Sequence, residues 1–92
     1  MIKTFRHKGL KELFESGKSR NVSADLVKRI TRQLDVLNRA KSPADVNLPG
    51  YRWHELKGAR RGTWSLMVSG NWRITFGFKD GDAFDVDLED YH

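Results

Sequence analysis

The chain closes on Asp90-Tyr91-His92, which sets a carboxylate, a phenol and an imidazole side by side. The His92 ring lies beside its own α-carboxylate and near Asp90. Both anions favour the protonated ring, which suits a proton donor or an electrostatic partner near neutral pH. Asp90 follows Phe84, Val86 and Leu88 at a spacing of two, so it continues the apolar side of its strand. It is therefore expected to be partly withdrawn from water, and a better base than the outward-facing Asp85 or Asp87. His54 and Lys57 add a second imidazole and a cation, but a spacing of three puts them on opposite faces of an ideal strand unless a bulge or the strand end re-aims one. Arg73 stands among the small residues of its strand face, Thr75 and Gly77, and Arg60-Arg61 lie between Gly58 and Gly62.

Together these side chains can do four things to a phosphodiester with a neighbouring hydroxyl. They can take the hydroxyl proton, protonate the leaving oxygen, hold the phosphate as charge builds, and fix in-line geometry. Acid and base supply roughly 10²–10⁴-fold each, so positioning and charge stabilisation must provide the rest. RNA carries such a hydroxyl and needs no metal for this route. Taken singly, each residue has a plain structural reading. A last residue ordinarily frays, a lone strand His is more often structural, and basic residues solvate surfaces. The acids Asp85, Asp87, Glu89 and Asp90 alternate without a second ligand cluster, which is weak support for Mg²⁺, and no metal site is expected. Trp53, Trp64 and Trp72 could stack nucleobases, but alternation assigns Trp64 and Trp72 to the core and leaves Trp53 open.

The elements that must position these residues follow from periodicity. Ile2 to Phe5 reads as a short opening strand. Lys8 to Ser16 reads as a helix, with Leu10, Leu13 and Phe14 on one face and Gly17 as its stop. Ser23 is an N-cap for a second helix over about residues 24–40, which buries Leu26, Ile30, Leu34 and Leu37 and turns Lys28, Arg29, Arg32 and Arg39 outward. After Pro49-Gly50 the period becomes two. Tyr51–Lys57, Thr63–Ser69, Trp72–Phe78 and Asp82–Glu89 are predicted strands, with Gly70-Asn71 and Asp80-Gly81 as tight turns requiring positive φ. The expected fold is α+β: a short N-terminal strand and two helices on one face of a mainly antiparallel four- to five-stranded sheet. Trp72, Ile74, Phe76 and Phe78 face the core with Phe84, Val86 and Leu88, and Arg73 faces an open polar side.

Composition agrees. Ninety-two residues with three Trp, two Tyr and five Phe make one domain, residues 1–92, with one modest core. Residues 1–79 hold all 17 Lys and Arg against six acids, while residues 80–92 hold the other six acids. A basic body of this kind fits a polyphosphate partner, whose counterions it releases on binding. The absence of Cys excludes a disulfide framework. No segment approaches the roughly 20 apolar residues of a membrane span, the start lacks an apolar signal region, and a cytoplasmic location is expected.

Leu56-Lys57-Gly58, Gly62 with Trp64-Ser65, Asn71-Trp72-Arg73-Ile74-Thr75-Phe76 and Glu89-Asp90-Tyr91-His92 resemble the HigB branch of the RelE-like toxins, and so do Lys8-Gly9-Leu10 and Leu13-Phe14. The resemblance covers the whole chain. It implies the RelE-like fold and a ribosome-dependent endoribonuclease that cuts messenger RNA in the decoding site without a cofactor. It also implies neutralisation by a HigA-type helix-turn-helix antitoxin, through which alone the toxin reaches operator DNA. By resemblance, His54, Lys57, Arg73, Asp90, Tyr91 and His92 occupy the family's active-site positions. Asp90 or His54 is then the base, His92 the acid or stabiliser, Lys57 and Arg73 the phosphate clamp, and Tyr91 the residue that positions RNA. Lys28, Arg29, Arg32, Arg60 and Arg61 are the expected contacts to RNA or ribosome. The same fold hosts ParE-like inhibitors of DNA gyrase, which need no acid/base constellation, and a non-catalytic RNA- or ribosome-binding module is a third reading.

Overall fold

Four residues of one helix stripe organise the molecule. In α2 (Ala24–Arg39), Ile30, Gln33, Leu34 and Leu37 recur at helical spacing and are all buried, while Lys28, Arg32, Asp35 and Arg39 face water. The computed structural model describes residues 1–90. Helix α1 (Lys8–Ser16) packs beside α2 through Leu10 and Leu13. His7 Nδ1 caps α1 by accepting the Leu10 N–H at 3.1 Å, and Gly17 ends the helix at φ 79° with its N–H on the Leu13 carbonyl. Ser23 precedes α2, as expected, but its side chain makes no capping bond.

The strands are β1 (His54–Glu55), β2 (Thr63–Met67), β3 (Trp72–Lys79) and β4 (Asp82–Asp90), paired antiparallel in that order. The helices cover the face carrying Leu66, Ile74, Phe76 and Val86, which joins their apolar stripe in one core. Buried Gln33 and half-buried Arg29 tie α2 to the end of β2. Gln33 Nε2 donates to the Met67 carbonyl at 2.8 Å, and Arg29 donates to the carbonyls of Met67 and Gly50 at 3.1 and 2.9 Å. The Arg29 guanidinium also lies 5.4 Å from the centre of the Tyr51 ring.

Several sequence expectations need correction. The opening strand is reduced to two isolated parallel bridges, Ile2 with Ala83 and Phe5 with Val86. The predicted strand Tyr51–Lys57 shrinks to two residues, because Arg52 takes a left-handed φ of 50° that extended pairing does not tolerate. Asp80 and Gly81 have the positive φ expected of their turn, at 54° and 83°. Gly70 and Asn71 do not. Their connection is wider, closed by the N–H groups of Val68 and Ser69 on the Trp72 carbonyl.

The largest correction concerns Phe84. In β4 the residues opposite Thr75 and Gly77 are Asp87 and Phe84, so Asp85 and Val86 together oppose Phe76. This is a β-bulge, with Asp85 at φ 52°. It keeps Ala83 and Val86 in the core and turns Phe84 onto the open face, where its ring covers Gly77. A Cβ at Gly77 would stand 2.6 Å from that ring, so glycine makes the approach possible. The N–H of Asp85 is taken by Thr4 Oγ1 at 2.9 Å, which satisfies the donor the bulge frees.

Candidate active site

Strand register assembles the open face in rows. His54 pairs with Ser65, Ser65 with Thr75, and Thr75 with Asp87; the neighbouring row is Met67, Arg73 and Glu89. Since paired residues share a face, His54 and Arg73 project to the same side of the sheet, one row apart. Beside His54 a cavity of about 390 Å³ is lined by Arg52, His54, Ser65, Met67, Ser69 and Gly70.

His54 is exposed, and its Nδ1 lies 2.9 Å from the Arg52 carbonyl oxygen. A carbonyl only accepts, so this contact requires the proton on Nδ1. In the neutral ring Nε2 then carries the lone pair, the state a general base needs. The left-handed turn at Arg52 brings that carbonyl back to the ring.

Glu89 is the organiser that sequence reasoning missed. It accepts two bonds from Arg60, at 2.8 and 2.5 Å, and one from the buried Thr75 hydroxyl, and it pairs with Arg73 at 3.8 Å. The Arg60 hydrogen bonds, more than the Thr75 bond and the nearby cations, hold its carboxyl down at about 2 against the opposing effect of burial. Glu89 in turn raises the Arg60 guanidinium. Arg60 therefore does not dangle from a flexible hairpin tip. The segment Gly58–Arg60 forms a 3₁₀ turn, Glu55 accepts the Gly62 N–H at 2.8 Å, and Arg60 reaches over the sheet to Glu89. The available signal was the alternation placing Arg73 and Glu89 outward on adjacent strands; cross-strand register was needed to make them neighbours.

Lys57 stands at the N-cap position of the 3₁₀ turn without a side-chain capping bond and is exposed; lying past the end of β1, it is not bound to the facing that strand alternation imposes. Asp90 pairs with Trp72 on the last row of β4, so the register puts it at the strand end on the side of Leu88, opposite to Arg73 and Glu89, and it is exposed. The expectation that it is partly withdrawn from water is corrected. Burial falls from Val86 through half-buried Leu88 to Asp90, past the end of the core. Tyr91 and His92 lie outside the described residues.

The basic candidates divide. Arg60 and Arg61 belong to the open face. Lys28 and Arg32 line a groove between the helices and the Pro49–Tyr51 segment, on the other side of the sheet. Arg29, in the same groove, turns inward to the backbone and Tyr51. Trp53 stacks on Trp64 with ring centres 4.8 Å apart and planes 2° from parallel, which explains it as packing. Among the described residues no three His, Asp or Glu side chains are arranged to hold a metal ion, and no helix is long and apolar enough to cross a membrane.

Comparison with known proteins identifies the family. Residues 3–92 match the HigB-like toxin family, described as the RelE-like toxin of the type II toxin–antitoxin system HigB. The chain is 49% identical over 92 residues to the endoribonuclease HigB of Proteus vulgaris, covering all of both chains. It is 29% identical over 91 residues to toxin HigB-1 of Vibrio cholerae, covering 97% of this chain and 96% of that one. Among solved structures it is similar to a mutant form of YafQ from E. coli, with a TM-score of 0.56 at 17% identity over 99% of this chain and 94% of the other. It also resembles a conserved hypothetical protein of Helicobacter pylori, with a TM-score of 0.54 at 14% identity over 99% and 96%. At such identities the structural likenesses speak for the fold alone.

Proposed function

Because the chain belongs to the HigB-like family of RelE-like toxins from type II toxin–antitoxin systems, we propose that it is an endoribonuclease that enters the decoding site of the ribosome and cuts messenger RNA by metal-independent acid/base chemistry. A toxin of this kind has an antitoxin partner. The proposed one is a HigA-type helix-turn-helix protein, and the proposed place of action is the cytoplasm.

The observation that carries the reading is the placement of His54 and Arg73 on one open face, with the lone pair of neutral His54 on Nε2 and Arg73 held beside Glu89. In the proposed reaction His54 or Asp90 takes the 2′-hydroxyl proton. The 2′-oxygen attacks the adjacent phosphorus, the bond from phosphorus to the 5′-oxygen breaks, and His92 protonates that oxygen. The products are a 2′,3′-cyclic phosphate and a 5′-hydroxyl. Lys57 and Arg73 hold the non-bridging oxygens as charge builds, and Tyr91 positions the RNA. Arg60 and Arg61 extend the cationic surface along the same face. Lys28 and Arg32, on the far side, suit ribosome contact, with Arg29 holding the groove between them in shape.

The test is cleavage of one synthetic message, free and on programmed ribosomes, by purified protein. Cuts that appear only with ribosomes support the proposal. Intact message in both cases, with inhibition of gyrase supercoiling instead, contradicts it.

A further inference from the structure

The bulge at Asp85 and the missing side chain at Gly77 together put Phe84 on a polar sheet face, where an aromatic ring gains little from burial. Around the half-buried ring lies a second cavity on that face, about 570 Å³, whose walls include Arg61, Lys79, Thr63 and Asp87. Arg61 and Lys79 are exposed and make no ion pair among the described residues, whereas Arg6 is paired with Asp85 at 3.6 Å and Arg60 with Glu89. An aromatic face flanked by two uncommitted cations is the chemistry that holds a nucleotide: the base stacks and the cations take its phosphates.

We infer that Phe84, with Arg61 and Lys79, forms a subsite for one unstacked nucleotide of the substrate RNA, separate from the cleavage centre. Gly77 is four residues from Arg73 along β3, roughly 13 Å at strand rise, so the base held here is not one of the two flanking the cut. Arg60 and Thr75 border this cavity and also bond Glu89 beside Arg73, so the two sites lie along one continuous face. Asp87, paired with Thr75, repels phosphate at that point and accepts from an exocyclic amino group.

The inference rests on the proposed ribonuclease activity, and its test separates the two. Synthetic messages carrying one abasic residue at each position around the cut are cleaved on programmed ribosomes by the wild-type protein and by Phe84→Leu and Phe84→Tyr. Leucine keeps an apolar side chain over Gly77 but loses the ring, and thermal midpoints check that each variant is folded. At one position beyond the nucleotides flanking the cut, an abasic residue should raise the wild-type KM about tenfold. It should do nothing further in Phe84→Leu, which is already weakened by that factor, while Phe84→Tyr behaves as wild type. Independent losses at every position, or an unchanged KM in folded Phe84→Leu, overturn the subsite while leaving the nuclease reading intact. Failure of the wild-type protein to cut any message removes both.

Discussion

Arg60 and Glu89, 29 residues apart, meet in a two-pronged ion pair that straps the Gly58–Gly62 loop across the open face of the sheet. Glu89 also faces Arg73, so one carboxylate holds two arginines over the surface where a phosphate would be bound. Planar guanidinium geometry matters in such a pair, because two parallel bonds fix orientation as well as distance. Arg60→Ala is expected to lower cleavage about tenfold through loss of loop placement, and Arg60→Lys to restore little of it. Equal kcat and KM for Arg60→Lys and wild type would refute a role for the fork.

The same carboxylate gives a pH prediction. Its folded-state value of about 2 lies below the ordinary 4.5, so Glu89 stabilises the fold fully above pH 4.5. That contribution declines as the pH falls toward 2. After allowance for solvent screening it amounts to about 1–2 kcal/mol. Glu89→Gln should therefore melt several degrees below wild type at pH 7, and the two curves should converge as the pH approaches 2. A constant difference across that range would mean the ionised carboxylate is not the source.

His54 and Asp90 are exposed, so their removal should separate activity from stability. His54→Ala and Asp90→Ala are each expected to reduce kcat by roughly 10²–10⁴-fold on programmed ribosomes, with stability within about 1 kcal/mol of wild type. Loss of activity that tracks loss of folding would argue against a chemical role.

Gly77→Ala puts a Cβ 2.6 Å from the Phe84 ring, and the half-exposed ring can swing away. The expected stability loss is therefore modest, about 1 kcal/mol, at the low end for overpacking. Calorimetry against Phe84→Leu checks this: Gly77→Ala in the leucine background should cost less, because the clashing ring is gone.

The helices and the antiparallel strands after Pro49-Gly50 were legible because apolar periodicity and the short connections specify them: Leu10 and Leu13 for α1, Ile30, Leu34 and Leu37 for α2, and Leu66, Ile74 and Phe76 for the sheet. What alternation cannot report is a change of phase within one strand. Phe84 and Asp85 look like the start of a regular alternation, and only pairing with β3 and the Ile2–Phe5 segment reveals the extra residue. Arg29 and Gln33 were hidden for a related reason. A polar side chain on a buried stripe is explained by a partner distant in sequence, here the Met67 carbonyl. Arg73 was assigned correctly to the open face, but its neighbour Glu89 required the register. Asp90 was expected to be a base because it continues the apolar phase of its strand, and the burial that argument needs failed because the core ends before the strand does.

The most direct measurement is end mapping of a message from cells expressing the protein, by primer extension together with the chemistry of the new 5′ ends. The account predicts discrete cuts within translated codons bearing 5′-hydroxyl ends, and their disappearance in the His54→Ala/Asp90→Ala double variant. Uncut message in growth-arrested cells, or cuts that persist undiminished in the folded double variant, would contradict it.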